Sequence, residues 1–138
     1  MKVMVLVKAT ADSEAGVLPS AELMQAMGAF NRQLADAGVL LAGEGLKPSA
    51  QGVRIAFDGD RRTVIPGPFA ASELVAGWWL WQVACMDDAI AWARRCPNPM
   101  PGPSELEIRP LYAPEDFGAG FTDQLRQQEE QLRAGLED

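Results

Sequence analysis

The chain contains no histidine, so any proton transfer must use a carboxylate, a lysine, one of two cysteines or the single tyrosine. This composition excludes Ser-His-Asp and Cys-His catalysis, and two thiols supply too few ligands for a zinc site. We therefore expect either chemistry without a metal or a cofactor, or binding without chemistry. Cys85 and Cys96 are predicted to be free, buried thiols.

Glu44 is the first candidate for a group that moves a proton. It lies between Gly43 and Gly45 in an apolar run, and glycine inside a strand often marks a bulge or the close approach of another group. Desolvation in such crowded surroundings would raise the pKa of the carboxyl group, which suits acid–base chemistry. The alternative is a strand-end carboxylate paired with an arginine or a lysine.

Two further polar residues are candidates for holding a ligand. Arg54 alternates with apolar residues, so it lies on the opposite face of its predicted strand from them. It binds an anion or a carboxylate if that face lines a cleft, and is solvated otherwise. Thr10 opens a polar segment, residues 10–19, which we predict to be a loop. Such a loop is either the edge of a pocket or an ordinary solvated connection.

The chain is organised around a kinked loop that leads into a tryptophan-rich strand. Two prolines flank Gly67, which excludes a helix there. The strand spans residues 75–84, and alternation divides its side chains between two apolar faces. One face carries Trp79, Trp81 and Val83, and the other carries Trp78, Leu80 and Gln82. Aromatic side chains there either hold a ligand or stabilise a sheet, and both faces should be covered.

The remaining elements alternate between strands and helices. Further strands are predicted over residues 2–9, 39–46 and 104–111, with a hairpin of residues 52–57 and 62–65 around an Asp-Gly turn. Helices are predicted over residues 20–38, 88–96 and 122–135, and the apolar stripe of the first is expected to be core. This order predicts an α+β fold of the ferredoxin-like split β-α-β kind, with an added hairpin and a C-terminal helix.

Two helices can cover only one face of such a sheet. The other face keeps Trp78 and its neighbours, and exposed apolar patches of that size are rare on monomers. We therefore predict a homodimer in which the open faces close against each other. Any pocket is expected between the sheet and the partner, near the loop around Gly67.

Length and charge limit the partners. The chain has 138 residues, which fits one domain, and 48% of them are hydrophobic. A formal net charge of −7 disfavours nucleic acid and anionic membrane surfaces as partners. No apolar run approaches the roughly 20 residues of a membrane span. The sequence predicts a cytoplasmic protein that binds a small organic ligand.

Several segments together resemble the YCII-related family, which carries an Asp-Gly-Pro-Phe signature. They are LAGEGLKP at 41–48, TVIPGPFA at 63–70, AGWWLWQV at 76–83, RCP at 95–97 and EIRP at 107–110. The resemblance covers about residues 1–120 and implies the dimeric α/β-barrel type, similar in fold to muconolactone isomerase. We predict a YCII-related domain over residues 1–112, followed over residues 113–138 by a linker and a helix that packs on the domain or on its partner.

The chain departs from the family pattern at the signature itself. Pro66 stands at the signature aspartate position, and a shorter segment, AASE at 70–73, replaces the usual Ala-Glu-Thr-Lys-Glu. Some members resemble lyases or dehydrohalogenases and use a His-Asp pair, whose histidine this chain does not have. The residues that the resemblance carries over are Gly67, Pro68, Phe69, Glu44 and Glu73.

Three functions follow from these residues. The first is a cofactor-independent isomerase, lyase or cyclase acting on an aromatic or polyketide-like substrate, in which Glu44 or Glu73 moves a proton. Its predicted ligand-binding residues are Arg54, Phe69, Trp79, Trp81 and Thr10. The second is a binding or regulatory module with the same pocket and no chemistry, which the loss of the aspartate favours. The third is a structural homodimer that contacts another protein through its tail helix.

Overall fold

The computed structural model describes residues 1–137. The strands within them are β1 (Lys2–Lys8), β2 (Leu40–Gly45), β3 (Val53–Asp58), β4 (Arg61–Pro66), β5 (Val75–Gln82) and β6 (Leu106–Pro110). The α-helices are α1 (Ala11–Glu14), α2 (Ala21–Asp36), α3 (Met86–Arg94) and α4 (Asp123–Glu137). Short 3-10 turns span Ser49–Gln51, Ala71–Glu73 and Pro114–Gly120.

Four strands form one antiparallel sheet in the order β2-β5-β1-β6. The long β5 pairs with both β1 and β2, so it lies inside the sheet as its apolar composition predicted. Strands β3 and β4 pair only with each other and form a separate hairpin around Gly59. The α+β ferredoxin-like class is confirmed, together with the added hairpin and the C-terminal helix.

The core lies between the sheet and helices α2 and α3. Alternation along β1 buries Val3, Val5 and Val7, while Trp79 and Trp81 of β5 are buried on the same face. Phe30 of α2 packs edge-on against both indoles, with ring centroids 6.1 and 6.3 Å apart. The predicted division of the β5 side chains between two faces is therefore confirmed for the side that the helices cover.

Helix α2 packs on the sheet through only part of its length. Ser20 accepts a hydrogen bond from the Leu23 amide at its start, and Gly38 follows its end with φ +74°. Phe30 and Leu34 are buried in the second half of the helix. In the first half, Leu23 and Met27 are only half-buried, and Met27 packs against the buried core, so the prediction that the apolar stripe is core was wrong for Leu23.

Three surfaces of the single chain are not covered. The hairpin leaves every residue exposed, Phe57 by 71%. The sheet face opposite the helices, which we call the open face, presents half-buried Met4, Leu6, Trp78 and Leu80. Among its described residues, α4 buries none, in agreement with the thin apolar stripe of this helix.

The segment predicted as a loop over residues 10–19 contains the short helix α1. Thr10 caps it, since its hydroxyl accepts a hydrogen bond from the Ser13 amide at 3.3 Å. The Ser13 hydroxyl in turn accepts one from the Thr10 amide at 2.9 Å. This reciprocal capping supplies partners for backbone groups that a free loop would leave to water.

The two cysteines are free, but their environments differ. Cys85 precedes α3 and is exposed, so the prediction that it is buried was wrong, whereas Cys96 is half-buried. Burial raises the pKa of the Cys96 thiol from 9.0 to about 11.

We expect Ellman's reagent to modify Cys85 long before Cys96 at about pH 8, because only the thiolate attacks a disulfide. The Cys96 rate should rise about tenfold per pH unit until the pH passes its pKa. An unfolded thiol ionises near 9.0, so between 9.0 and about 11 the folded state holds the extra proton. The contribution of Cys96 to the free energy of unfolding should therefore fall as the pH rises through this window. The variant Cys85→Ser isolates the slow thiol, and rapid labelling of this variant at about pH 8 would contradict the assignment.

Candidate functional site

A cavity of about 1030 Å³ opens at one end of the sheet, on the side of the helices. Its walls are the first half of α2, the ends of β2 and β5, α1 with the loop that follows it, and the proline-rich loop at residues 98–101. Most of the side chains that line it are apolar, and its volume suits a drug-sized organic molecule.

The cavity lies beside the first half of α2, where the helix buries no residue. Leu23, which the periodicity placed in the core, lines the cavity instead, and Met27 both lines the cavity and packs against the core. The predicted pocket lay between the sheet and a partner subunit, but this cavity is formed within one chain. The reason is tertiary, since α1 and the loop at residues 98–101 wall a space that the sheet and helices leave open.

Trp79 and Asn31 form the best-defined polar contact in the cavity wall. The indole Nε1 of Trp79 donates a hydrogen bond to Asn31 Oδ1 at 3.0 Å, and both residues line the cavity. Gly43, opposite Trp79 across the strand pair, makes room for the indole, because a Cβ there would lie 2.7 Å from Trp79 Cδ1. The predicted close approach at Gly43 is thus the approach of an indole ring.

Glu44 borders the cavity, but it is exposed in the single chain. It is paired with Trp78, which alternation places on the open face, so its side chain projects from that face rather than into the helix side. The crowded, desolvated carboxylate predicted for this residue is therefore not found in the single chain. Its proposed catalytic role stays a prediction.

Thr10 lies beside the cavity and supports its wall. Its hydroxyl donates to the Met100 sulfur at 3.4 Å, and Met100 lines the cavity. The same hydroxyl caps α1, whose Asp12 and Ser13 also line it. Thr10 thus joins two of the walls, and its predicted contact with a ligand stays a prediction.

Three of the predicted site residues meet outside the cavity lining. The Arg54 guanidinium lies 3.8 Å from the centre of the Phe69 ring, and its Nη1 is 3.4 Å from Glu73 Oε2. Arg54 and Glu73 are both largely exposed, and an ion pair in water contributes about 0–1 kcal/mol. The arrangement holds the guanidinium over an aromatic ring, and it ties the hairpin to the turn that contains Glu73.

A network of hydrogen bonds between half-buried residues anchors the loop that carries the family signature, which we call the signature loop. The sequence did not predict this network. The Phe69 amide donates to Ser49 Oγ at 2.9 Å, and the Ser49 amide donates to the Glu14 carboxylate at 3.0 and 3.2 Å. The Ser49 hydroxyl also donates to Glu14 Oε2. Glu14 therefore connects α1, on the cavity wall, to the loop that carries Gly67-Pro68-Phe69, whose first peptide bond is cis.

Trp81 lies in the core and not in the cavity wall. Its side chain is 0% exposed and its ring packs against Phe30 and Trp79. Its indole Nε1 is buried with no hydrogen-bond partner within residues 1–137. The position indicates a packing role, and the predicted contact of Trp81 with a ligand stays a prediction.

Asn31 is the cavity residue that sequence reasoning missed. It follows Met27 by four positions and therefore lies on the same side of α2. A buried tryptophan on a neighbouring strand needs an acceptor for its N–H. Those two facts together are the sequence signal from which Asn31 could have been found.

Two negative findings apply to the described residues. None of their helices is long and apolar enough to cross a lipid bilayer. Among residues 1–137, no three His, Cys, Asp or Glu side chains cluster closely enough to hold a metal ion.

Comparison with known sequences identifies the family. Residues 1–112 match the profile of the YCII-related domain. The chain belongs to the YCII-related family. The match spans β1 to β6 of the YCII-related fold and stops before α4, while the division of the chain at residue 112 stays a prediction.

A curated protein of Rhizobium meliloti (strain 1021), named as uncharacterized, is also similar to this YCII-related chain. The two are 30% identical over 90 residues, which cover 64% of this chain and 73% of the relative. The name of this relative specifies no reaction.

Proposed function

We propose that this YCII-related protein is a homodimer that binds a small, mostly apolar organic molecule in the cavity beside α2. The single observation that carries the binding proposal is the cavity itself, about 1030 Å³ with few polar groups among apolar walls. A net charge of −7 supports an organic ligand rather than nucleic acid. The free, exposed thiol of Cys85 suits the reducing conditions of the cytoplasm, where we place the protein.

The homodimer proposal is based on the apolar side chains of the open face. The open face presents an apolar strip of Met4, Leu6, Trp78 and Leu80. Charged residues flank this strip, among them Glu107, whose Oε1 lies 3.9 Å from Lys8 Nζ across the strand pair. An apolar centre with a polar rim is typical of protein interfaces. The dimeric barrel that the family resemblance implies would bury this strip between two copies.

Binding without chemistry is the function that the geometry supports best. Glu44 projects from the open face, and Glu73 pairs with Arg54 outside the cavity lining. Neither carboxylate is placed beside Trp79, where an aromatic or polyketide-like ligand would lie. The cofactor-independent isomerase, lyase or cyclase is the second candidate, because Glu44 still borders the cavity and a partner subunit would cover it.

The binding proposal predicts uptake of a neutral apolar dye. N-phenyl-1-naphthylamine, which fluoresces in apolar surroundings, should bind the protein with saturation. Met27→Glu should weaken its binding about tenfold or more, because a charge in the cavity wall must be desolvated by the ligand.

The matched control is Ala26→Glu, which adds the same charge to an exposed position of the same helix outside the cavity lining. It should bind the dye as the parent protein does. Equal affinity of the two variants, or no saturable binding by the parent protein, would refute the proposed site.

A further inference from the structure

The orientation of Asn31 is determined by its tryptophan partner. An indole N–H is only a donor, so the Asn31 atom that receives it must be the carbonyl oxygen and not the amide nitrogen. Trp79 is 7% exposed and is confined by β2, where Gly43 leaves no more space than the ring needs. The asparagine side chain is therefore held in one of its two flip states.

This orientation leaves two N–H donors of Asn31 without a protein acceptor. In the part of the chain that the structure describes, the Asn31 side chain makes only the hydrogen bond with Trp79. The residue is half-buried and lines the cavity beside Leu23 and Met27. A fixed amide donor among apolar side chains is the kind of polar group that orients a ligand in a pocket.

We infer that Asn31 Nδ2 donates a hydrogen bond to the carbonyl oxygen of a neutral ligand, such as a ketone or an ester on an apolar body. This inference rests on the proposed function, since it names the chemistry that the cavity selects. A carbonyl oxygen satisfies the donor without adding a donor of its own. A hydrocarbon of the same shape would leave the amide desolvated and unpaired.

The charges around the cavity favour a neutral carbonyl over a carboxylate. Its ionisable lining residues are Asp12, Glu44 and Lys47, two acidic and one basic. The whole chain carries a formal charge of −7. The potential at the cavity is therefore unfavourable for an anion, although a carboxylate would also accept from Asn31.

The test uses a matched pair of probes, 2-acetylnaphthalene and 2-ethylnaphthalene. They differ only in that the ketone has a carbonyl oxygen in place of two hydrogen atoms. Each displaces N-phenyl-1-naphthylamine from the intact protein, and displacement gives its affinity. We expect the ketone to bind about five- to tenfold more tightly, which is the effect of one neutral hydrogen bond. The anion 2-naphthoate should bind more weakly than the ketone.

The variant Asn31→Asp keeps an acceptor for Trp79 and removes the donor. It should abolish or reverse the preference for the ketone, and the ratio of the two probe affinities is compared because the added charge should also weaken dye binding, as in Met27→Glu. Gln33→Glu is the control, since it adds the same charge on α2 at a side chain that contacts Arg95 and not the cavity. It should keep the preference.

The outcomes distinguish the role of Asn31 from the proposal that the cavity binds a ligand. If the dye binds but the parent protein shows no preference for the ketone, or Asn31→Asp keeps that preference, the role of Asn31 is refuted and the site remains. Tighter binding of naphthoate than of the ketone refutes the assignment to a neutral compound. If the dye does not bind, the proposed function itself fails. The comparison of the probes on the parent protein decides even if the variant does not fold.

Discussion

Gly67→Ala should destabilise the protein by about 3 kcal/mol or more, because the added methyl group would enter the backbone of Ser49. A Cβ at Gly67 would overlap the Ser49 carbonyl oxygen and lie 2.7 Å from its carbon. That carbonyl already accepts a hydrogen bond from the Gly52 amide at 2.9 Å, so it cannot move away without opening its turn. Urea denaturation followed by tryptophan fluorescence measures the change in the free energy of unfolding.

Gly52→Ala provides the matched control in the same loop. A Cβ there would lie 3.5 Å from the same carbonyl oxygen, an ordinary contact, and we expect a change within about 1 kcal/mol. Similar stabilities for the two variants would show that the loop adapts to a side chain at position 67. They would then contradict the close packing of Ser49 on the signature loop.

Trp78→Asp should weaken self-association about 30-fold or more if the open face is the dimer interface. A buried tryptophan at the centre of an interface contributes at least about 2 kcal/mol to association. The aspartate would place a charge among Met4, Leu6 and Leu80. Light scattering over a dilution series should show twice the chain mass of 14.9 kDa for the parent protein and the single-chain mass for the variant.

Ile90→Asp is the control for this experiment, because Ile90 is 40% exposed on α3, in the helix layer on the other side of the sheet. It should leave the dimer mass unchanged. A parent protein that scatters as a single chain at every concentration would end the dimer proposal. Loss of the dimer in both variants would indicate a different interface.

The two variants test different levels of the proposal. Gly67→Ala concerns the anchoring of the signature loop by Ser49 and Glu14 within one chain. Trp78→Asp concerns a face that has no cover within that chain. Trp78 also lines the cavity, so Trp78→Asp reports on self-association and is not used for dye binding.

Most of the fold was predictable because local patterns determine it. Alternation in β5 separated the buried Trp79 and Trp81 from the open-face Trp78, and the Asp-Gly turn located the hairpin. These signals lie within a few residues of one another, so neighbouring sequence is enough to find them. Helix α1 was missed because its four residues have no apolar period, and only the Thr10–Ser13 capping pair indicates it.

The candidate site was predicted less well, because its contacts join residues that are far apart in the chain. Trp79 and Asn31 are 48 positions apart, and Phe69 and Ser49 are 20 apart. Periodicity identified the inward side of α2 but could not tell that Leu23 faces a cavity while Phe30 and Leu34 face the core. Glu44 was predicted in crowded surroundings, yet register places its side chain on the open face.

The sequence by itself determined the strand and helix pattern, the absence of histidine chemistry and the family, because each depends on residue types and short spacings. Only the tertiary structure decided where α2 buries its side chains, which residues line the cavity beside it, and which atom of Asn31 accepts the hydrogen bond of Trp79. The physical reason is that such a space depends on the angle between packed elements and on single close approaches, such as the Trp79 ring over Gly43. No local pattern of residues encodes those distances.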